Sequence, residues 1–413
     1  MDFTGENPSV VTGGVIDGHA PGPRADVVER AVKIRPILRA HAEQADHDRM
    51  LPPATVDALL DNELINLMVP RRFGGLQCNV RTYVDTVIEI ARGDSSAGWY
   101  GFILNCAGWV TGMYPEAAQK EVWGKNPKAI TSSILAPTAK ATPVEGGVRI
   151  TGEWAFASGC RHASWAQVAY PILEDGAMVD TGLALVPIEE MTFKDTWFMA
   201  GMSGTRSDTI ATKDTFVPQH RILCMSQWLS RETLTEYQDE AEYRTCNKVA
   251  LQVMTVPPVL GIAQAALDET LERLKADPGK RIAYSYITDS RTFSGTQSSL
   301  ARAAILIDSA ILQTRRWADE MDVYAQRDEA FPLLEQTKAQ MSTAFAIRSC
   351  QEAMRLLLNV QGASSFASSN PMQRLWRDFE VASRHGLLNA DLIEDVYGKA
   401  LLGVTDNTLT PLM

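Results

Sequence analysis

The feature that most constrains the fold is a double change of hydrophobic period along the chain. In the first part Val28, Ala31, Val32, Ile37 and Leu38 recur at helical spacing, with Pro36 expected to interrupt the helix. Pro52-Pro53 opens a second helix through Leu59, Leu60 and Leu64, and Phe73-Gly74-Gly75 turns the chain. A nearly apolar stretch from Tyr83 to Trp109 is divided by Gly93-Asp94-Ser95-Ser96, which reads as an N-cap. Between about Pro127 and Cys224 short runs of Val, Ile, Thr and aromatics alternate with glycine turns, as in Gly146-Gly147-Val148-Arg149-Ile150. That pattern predicts a small antiparallel β domain closed as a barrel. After Glu240 the helical period returns, with helices expected from Pro257 and at about 289–322, 332–359 and 371–402, an antiparallel bundle.

The chain is therefore α+β and mostly α, in three parts: a helical domain over 25–126, a β domain over 127–230 and a helical bundle over 231–413. Residues 1–24, rich in Gly, Pro and acidic side chains, read as a disordered arm with neither a signal-peptide nor a membrane-anchor pattern. A length of 413 residues exceeds one compact core. The net charge of -11 argues against nucleic acid or an anionic membrane as partner. The six cysteines are scattered without a Cys-x-x-Cys pair, so no metal centre is expected and reduced thiols in a cytoplasmic protein are.

The chemistry concentrates in Thr151-Gly-Glu-Trp154-Ala-Phe156-Ala-Ser158-Gly159-Cys-Arg-His162-Ala-Ser-Trp165. In an extended strand Trp154, Phe156 and Ser158 share one face, offering two rings and a hydroxyl to something flat. Gly159 frees the backbone to turn. A strand packed into a core would show the same alternation. No Gly-x-Gly-x-x-Gly follows a strand and no Walker-type loop exists, so nothing supports a built-in nicotinamide or ATP site.

This Trp-x-Phe-x-Ser-Gly strand, followed by Gly204-Thr205-Arg206-Ser207-Asp208-Thr209 and Phe216-Val217-Pro218, resembles the acyl-CoA dehydrogenase superfamily. Ser158-Gly-Cys-x-His162-Ala-x-Trp165 is most similar to its flavin-dependent monooxygenases, the oxygenase components of two-component systems. The resemblance runs from about 25 to 405. It implies an acyl-CoA dehydrogenase-like fold and diffusible reduced FMN or FAD supplied by a separate NAD(P)H:flavin reductase. It also implies attack on a small aromatic or amine through a C4a-(hydro)peroxyflavin, in a homotetramer. Such a site must exclude water, hold a flat ring and control one proton.

Carried over residue by residue, the resemblance places Trp99, Ser133 and Ser158 at the flavin, with Trp154 and Phe156 from the strand. Ser158 falls near the flavin N5, and Ser133 faces ring or substrate. Arg291 matches an arginine that reaches a flavin phosphate, for which a guanidinium is suited. Gln361 and Gly362, with Ala363, match a turn that passes close to cofactor, often from a neighbouring subunit. His385 matches a histidine that reaches substrate or flavin, and its reference pKa of ~6.5 suits proton transfer near neutrality. Arg377 and Asp378 match a structural pair, and His162 is read as structural.

One departure concerns substrate. Eight residues after Trp99 several phenol hydroxylases carry a histidine, and this chain has Ala107, with Asn105 as the alternative polar partner. Two other readings remain open. An acyl-CoA dehydrogenase needs a carboxylate base, but the place eight residues after Asp378 is Gly386. A non-catalytic flavin-binding scaffold would keep the cofactor contacts without turnover.

Overall fold

The computed structural model of the protein describes residues 20–232 and 234–404. The arm expected over 1–24 falls outside the described residues as far as residue 19. Five helices form the first part: α1 (Ala25–Asp48), α2 (Pro53–Asp61), α3 (Val80–Gly93), α4 (Ser95–Thr111) and α5 (Glu116–Trp123). Helix α1 runs unbroken through Pro36, contrary to expectation. Pro36 lies on the exposed face, where a missing backbone N–H costs least. Helix α4 begins where the sequence signals: Asp94 is its N-cap and accepts the Ala97 N–H at 2.6 Å. Its mostly apolar composition follows from burial on nearly every side.

The β domain comprises β1 (Thr131–Ile134), β2 (Lys140–Val144), β3 (Gly147–Trp154), β4 (Trp165–Glu174), β5 (Ala177–Pro187), β6 (Thr192–Lys194), β7 (Thr209–Pro218) and β8 (Ile222–Cys224). They make two four-stranded sheets, β1-β4-β5-β8 and β2-β3-β7-β6, hydrogen-bonded within but not between. One pair, β1 with β4, is parallel. The expected barrel is built from two facing sheets around a shared core of Ile134, Ile150, Trp154, Val168, Ala184 and Ile210, and its pairing is antiparallel except for β1 with β4. In β3 burial alternates, with Val148 and Ile150 inward and Arg149 and Thr151 outward, as strand period 2 requires.

The last part contains the short α6 (Met225–Leu229) and α7 (Asn247–Val253), then α8 (Pro257–Ala276), α9 (Ser294–Arg327), α10 (Leu333–Gln361), α11 (Pro371–Ala382) and α12 (Ala390–Leu401). The single helix expected over 371–402 is two, because the chain breaks at 383–389, where a short turn over Gly386–Leu388 carries His385 at its N-cap. That break turns His385 off the helix surface. The core is continuous from α1 to α11, so the first and last parts pack as one body.

Candidate active site

The two motifs meet through one buried carboxylate. Asp208 is fully buried; it receives the Arg161 guanidinium at 2.6 Å and the Arg206 Nε at 3.2 Å. Its second oxygen accepts the backbone N–H groups of Thr196 and Trp197, and its carbonyl accepts the Ala157 N–H at 3.0 Å. The opposing guanidinium and these hydrogen bonds outweigh burial and hold the carboxyl below its ordinary range. Asp208 therefore clamps the turn after β3 onto the 196–208 loop.

That loop is itself held from the far side. The Met202 N–H donates to buried Asp378 at 2.6 Å, the Arg377 Nη1 donates to the Ala200 carbonyl, and Arg377 pairs with Asp46 at 2.7 Å. Gly201 lies so close to the Arg377 carbonyl that a Cβ there would sit at 2.2 Å. Met202 and Arg206 both adopt left-handed backbone conformations, with φ of 57° and 43°. Such conformations persist in non-glycine residues when surrounding contacts fix them, as here.

On this frame the hydroxyls line up. The Trp99 indole N–H donates to Ser158 Oγ at 3.2 Å, Ser158 Oγ lies 2.7 Å from Ser207 Oγ, and Ser207 Oγ lies 2.8 Å from Thr205 Oγ1. Ser132 Oγ donates to the Ser158 carbonyl at 2.8 Å, tying β1 to the turn. The Trp99 ring meets the His385 imidazole edge-on at 5.5 Å, and Phe102 closes in at 6.3 Å. The Leu387 N–H donates to His385 Nδ1 at 3.3 Å, which leaves the proton of the neutral ring on Nε2. Burial pushes this imidazole down to about 4, although part of the residue stays accessible. His385 is then a neutral N–H donor at physiological pH, not the neutral-range proton switch that its reference pKa suggested.

Several expected residues sit elsewhere. β3 ends at Trp154 and Phe156 has φ of 60°, so the three side chains do not share an extended face. Trp154 is fully buried in the β core, with its N–H on the Ala169 carbonyl at 2.8 Å, and is structural. Phe156 is 65% exposed, its edge against Trp197 at 5.4 Å, and is free to meet a flat ring. Ser133 is partly accessible and alternates with the buried Ser132. Asn105 is fully buried and spent: it accepts the Leu67 N–H and donates to the carbonyls of Leu64 and Gly101, so it cannot grip a substrate. Ala107 is equally buried, and its carbonyl receives Gln167 of β4 at 3.0 Å. Both hold α4 in place rather than lining a substrate.

Arg291 lies on a turn before α9, largely exposed, with its guanidinium on Asp289 at 2.7 Å. The Gln361 side chain is buried between Thr270 and Asn370, which removes it as a side-chain ligand, while Gly362 beside it has φ of 72° and open space at its Cβ position. His162 packs edge-on against Tyr100 at 5.5 Å, and burial lowers its pKa. The Tyr100 hydroxyl is buried without a partner among the described residues. Ser132, Thr205, Ser207, Arg161 and Asp208 are the residues sequence reasoning left without a role. The Gly204-to-Thr209 motif contained three of them. No group of metal-ligating side chains occurs among the described residues, and a 710 Å³ cavity between β5, α6 and the end of α9 is lined by none of the site residues.

An exposed aromatic face, a hydroxyl with one lone pair still open, an orphaned phenol and an indole–imidazole edge fit a flat, hydrogen-bonding ring system. With the helical–β–helical order they define a flavoprotein of the acyl-CoA dehydrogenase type. Residues 30–126 match the acyl-CoA dehydrogenase N-terminal domain, and residues 253–390 match the acyl-CoA dehydrogenase C-terminal domain. The structure of XiaF from Streptomyces sp., in complex with FADH2 and glycerol, superposes with a TM-score of 0.87 at 33% identity, covering 94% of this chain and 97% of that one. The flavin-dependent monooxygenase oxygenase subunit HsaA of Mycobacterium tuberculosis is 29% identical over 89% of this chain and 93% of its own. The FADH2-dependent resorcinol hydroxylase oxygenase component of a Rhizobium is 28% identical over 94% and 97%. The chain belongs to the acyl-CoA dehydrogenase superfamily, as an oxygenase component of its two-component flavin-dependent monooxygenases.

Proposed function

We propose that this oxygenase hydroxylates a small phenol-class aromatic with FADH2 delivered by a separate flavin reductase. The observation that carries the reading is that Trp99 joins both halves of the site, its N–H on Ser158 and its ring edge on His385. Bound reduced flavin supplies the electrons that activate oxygen. Phe156, Ser158, Ser133 and Trp99 would hold its ring, with the Gly362 backbone and Arg291 of a neighbouring subunit serving its remoter parts. Phe102 and Trp99 keep water from the reacting face, where low polarity strengthens each hydrogen bond. His385 presents its Nε2 proton to a substrate oxygen or a departing hydroxide.

The preference for FADH2 is supported by the two relatives described with it. The preference for a phenol is supported by the resorcinol hydroxylase among the relatives. N-oxygenation of an amine finds no such support. A dehydrogenase would need a free carboxylate beside the ring. Asp94 and Asp378, two buried carboxyls of this region, are instead occupied by the backbone N–H groups of Ala97 and Met202, and the third, Asp208, is paired with Arg161. We further read the functional unit as a cytoplasmic homotetramer, in which the open Gly362 turn and the exposed Arg291, paired with Asp289 within its own chain, serve a neighbour's cofactor.

The test is to mix the protein with chemically reduced FAD, oxygen and a panel of phenols, anilines and acyl thioesters. Products one oxygen heavier from phenols alone are expected. Oxidation of an acyl thioester to its enoyl form would overturn the reading.

A further inference from the structure

With the Thr205 hydroxyl donating to the Met202 carbonyl, the run of hydroxyls beside Trp99 takes one consistent set of proton directions. Thr205 Oγ1 lies 2.8 Å from the Met202 carbonyl, which also accepts the Trp197 indole N–H at 2.9 Å and the Thr205 N–H at 3.1 Å; a carbonyl can only accept, so this contact uses the Thr205 proton. The contact between Ser207 and Thr205 at 2.8 Å must then use the Ser207 proton. The contact between Ser158 and Ser207 at 2.7 Å must in turn use the Ser158 proton. The Trp99 N–H takes one lone pair of Ser158, which leaves one lone pair and no proton on its open side. All three hydroxyls are at least nine-tenths buried, so water does not readily scramble the order.

We propose that Ser207 and Thr205 set the redox-state selectivity of the flavin site. They commit the Ser158 proton away from the cofactor, so Ser158 can meet it only as a hydrogen-bond acceptor. A reduced flavin carries a proton on N5 and can donate to Ser158; an oxidised flavin has a bare lone pair there and would face another lone pair. The same two residues thus favour capture of the reduced form and release of the oxidised form after turnover. This rests on the reading of Ser158 as the N5 partner.

The test measures dissociation constants of FADH2, under strict anaerobiosis, and of oxidised FAD for the full chain and two variants. Wild type is expected to bind FADH2 more tightly. In Ser207→Ala the Ser158 proton is freed to donate, so oxidised FAD should tighten and the preference should fall by about tenfold. Thr205→Val, which keeps the Ser158–Ser207 pair but lets Ser207 turn its proton back to Ser158, should shift the ratio the same way by a smaller factor. FADH2 affinity within about threefold of wild type in either variant shows that the site is intact, since one weak neutral hydrogen bond is all that changes there. Parallel loss of both affinities with an unchanged ratio would overturn the proposal, and if Ser207→Ala binds neither form, the Thr205→Val ratio decides. Failure of the wild type to bind either form would instead overturn the functional reading beneath it.

Discussion

The Trp99 indole N–H donates to the Ser158 hydroxyl at 3.2 Å, so a side chain from the first helical part supports a turn of the β domain. Trp99→Phe keeps the ring edge against His385 and removes only this donor. Reduced-flavin affinity should fall about three- to tenfold, the worth of one neutral hydrogen bond. Anaerobic titration checks it; unchanged affinity would mean the contact has no bearing on the cofactor.

His385→Ala should still take up reduced flavin but convert less of the consumed oxygen into product, with hydrogen peroxide accounting for the difference. Loss of a positioned proton donor is worth ~10²–10⁴ in rate, enough to reverse the partition. His385→Asn, which can present an N–H, should recover part of the coupling. Because burial pushes the imidazole to about 4, wild-type coupling should stay flat from mildly acidic to mildly alkaline pH. An inflection near the ordinary histidine pKa of ~6.5 would contradict the neutral-donor assignment.

Asn105→Ala tests a residue whose polar side chain suggested substrate binding. Its three hydrogen bonds join the 64–67 loop to α4 at full burial, and their loss strands buried backbone groups. Stability should drop by about 2–4 kcal/mol. Michaelis constants at a permissive temperature should not change, and a selective rise in the substrate constant would restore Asn105 to the site.

Much of this was legible in the sequence. The helical, β and helical periods placed α3, α4 and α8 through α10, and Asp94 announced the start of α4. Spacing and family resemblance together implied that Trp99, Ser133 and Ser158 belong to one site, but not that the Trp99 N–H donates to Ser158. What could not be read was where a strand stops. Alternation carries Trp154, Phe156 and Ser158 onto one face only if β3 continues, but the backbone turns left-handed at Phe156. Likewise the helical period of 371–402 hides the break that presents His385. Asn105 has the composition of a ligand; only its three partners show otherwise. Ser207 and Asp208 lay in a recognised motif, yet their roles depend on contacts 49 and 47 residues away in the chain.

Asp378 couples the loop beneath the flavin site to pH. Burial raises its carboxyl from the model-compound value of 3.8 to about 7. Between those values the folded protein holds a proton that the unfolded chain has released. Its contribution to stability is therefore present at low pH and is lost as pH rises through about 7. Asp378→Asn keeps an acceptor for the Met202 N–H and removes this penalty, so denaturation midpoints at pH 8 should rise relative to wild type. The fall in stability from pH 5 to 8 should flatten, with a residual slope from Asp94, which burial raises to about 6. An unchanged slope would show that Asp378 is ionised throughout.

The account's central claim is that this chain spends reduced flavin made elsewhere to put one oxygen atom into an aromatic ring. The direct measurement is oxygen uptake and product mass under 18O2, with NADH, FAD and a phenol, before and after addition of an unrelated flavin reductase. The protein alone should consume no oxygen. With the reductase, product should carry one 18O atom per oxygen molecule consumed above the peroxide background. Turnover of NADH by the isolated chain, or label confined to hydrogen peroxide with every phenol tried, would contradict the account.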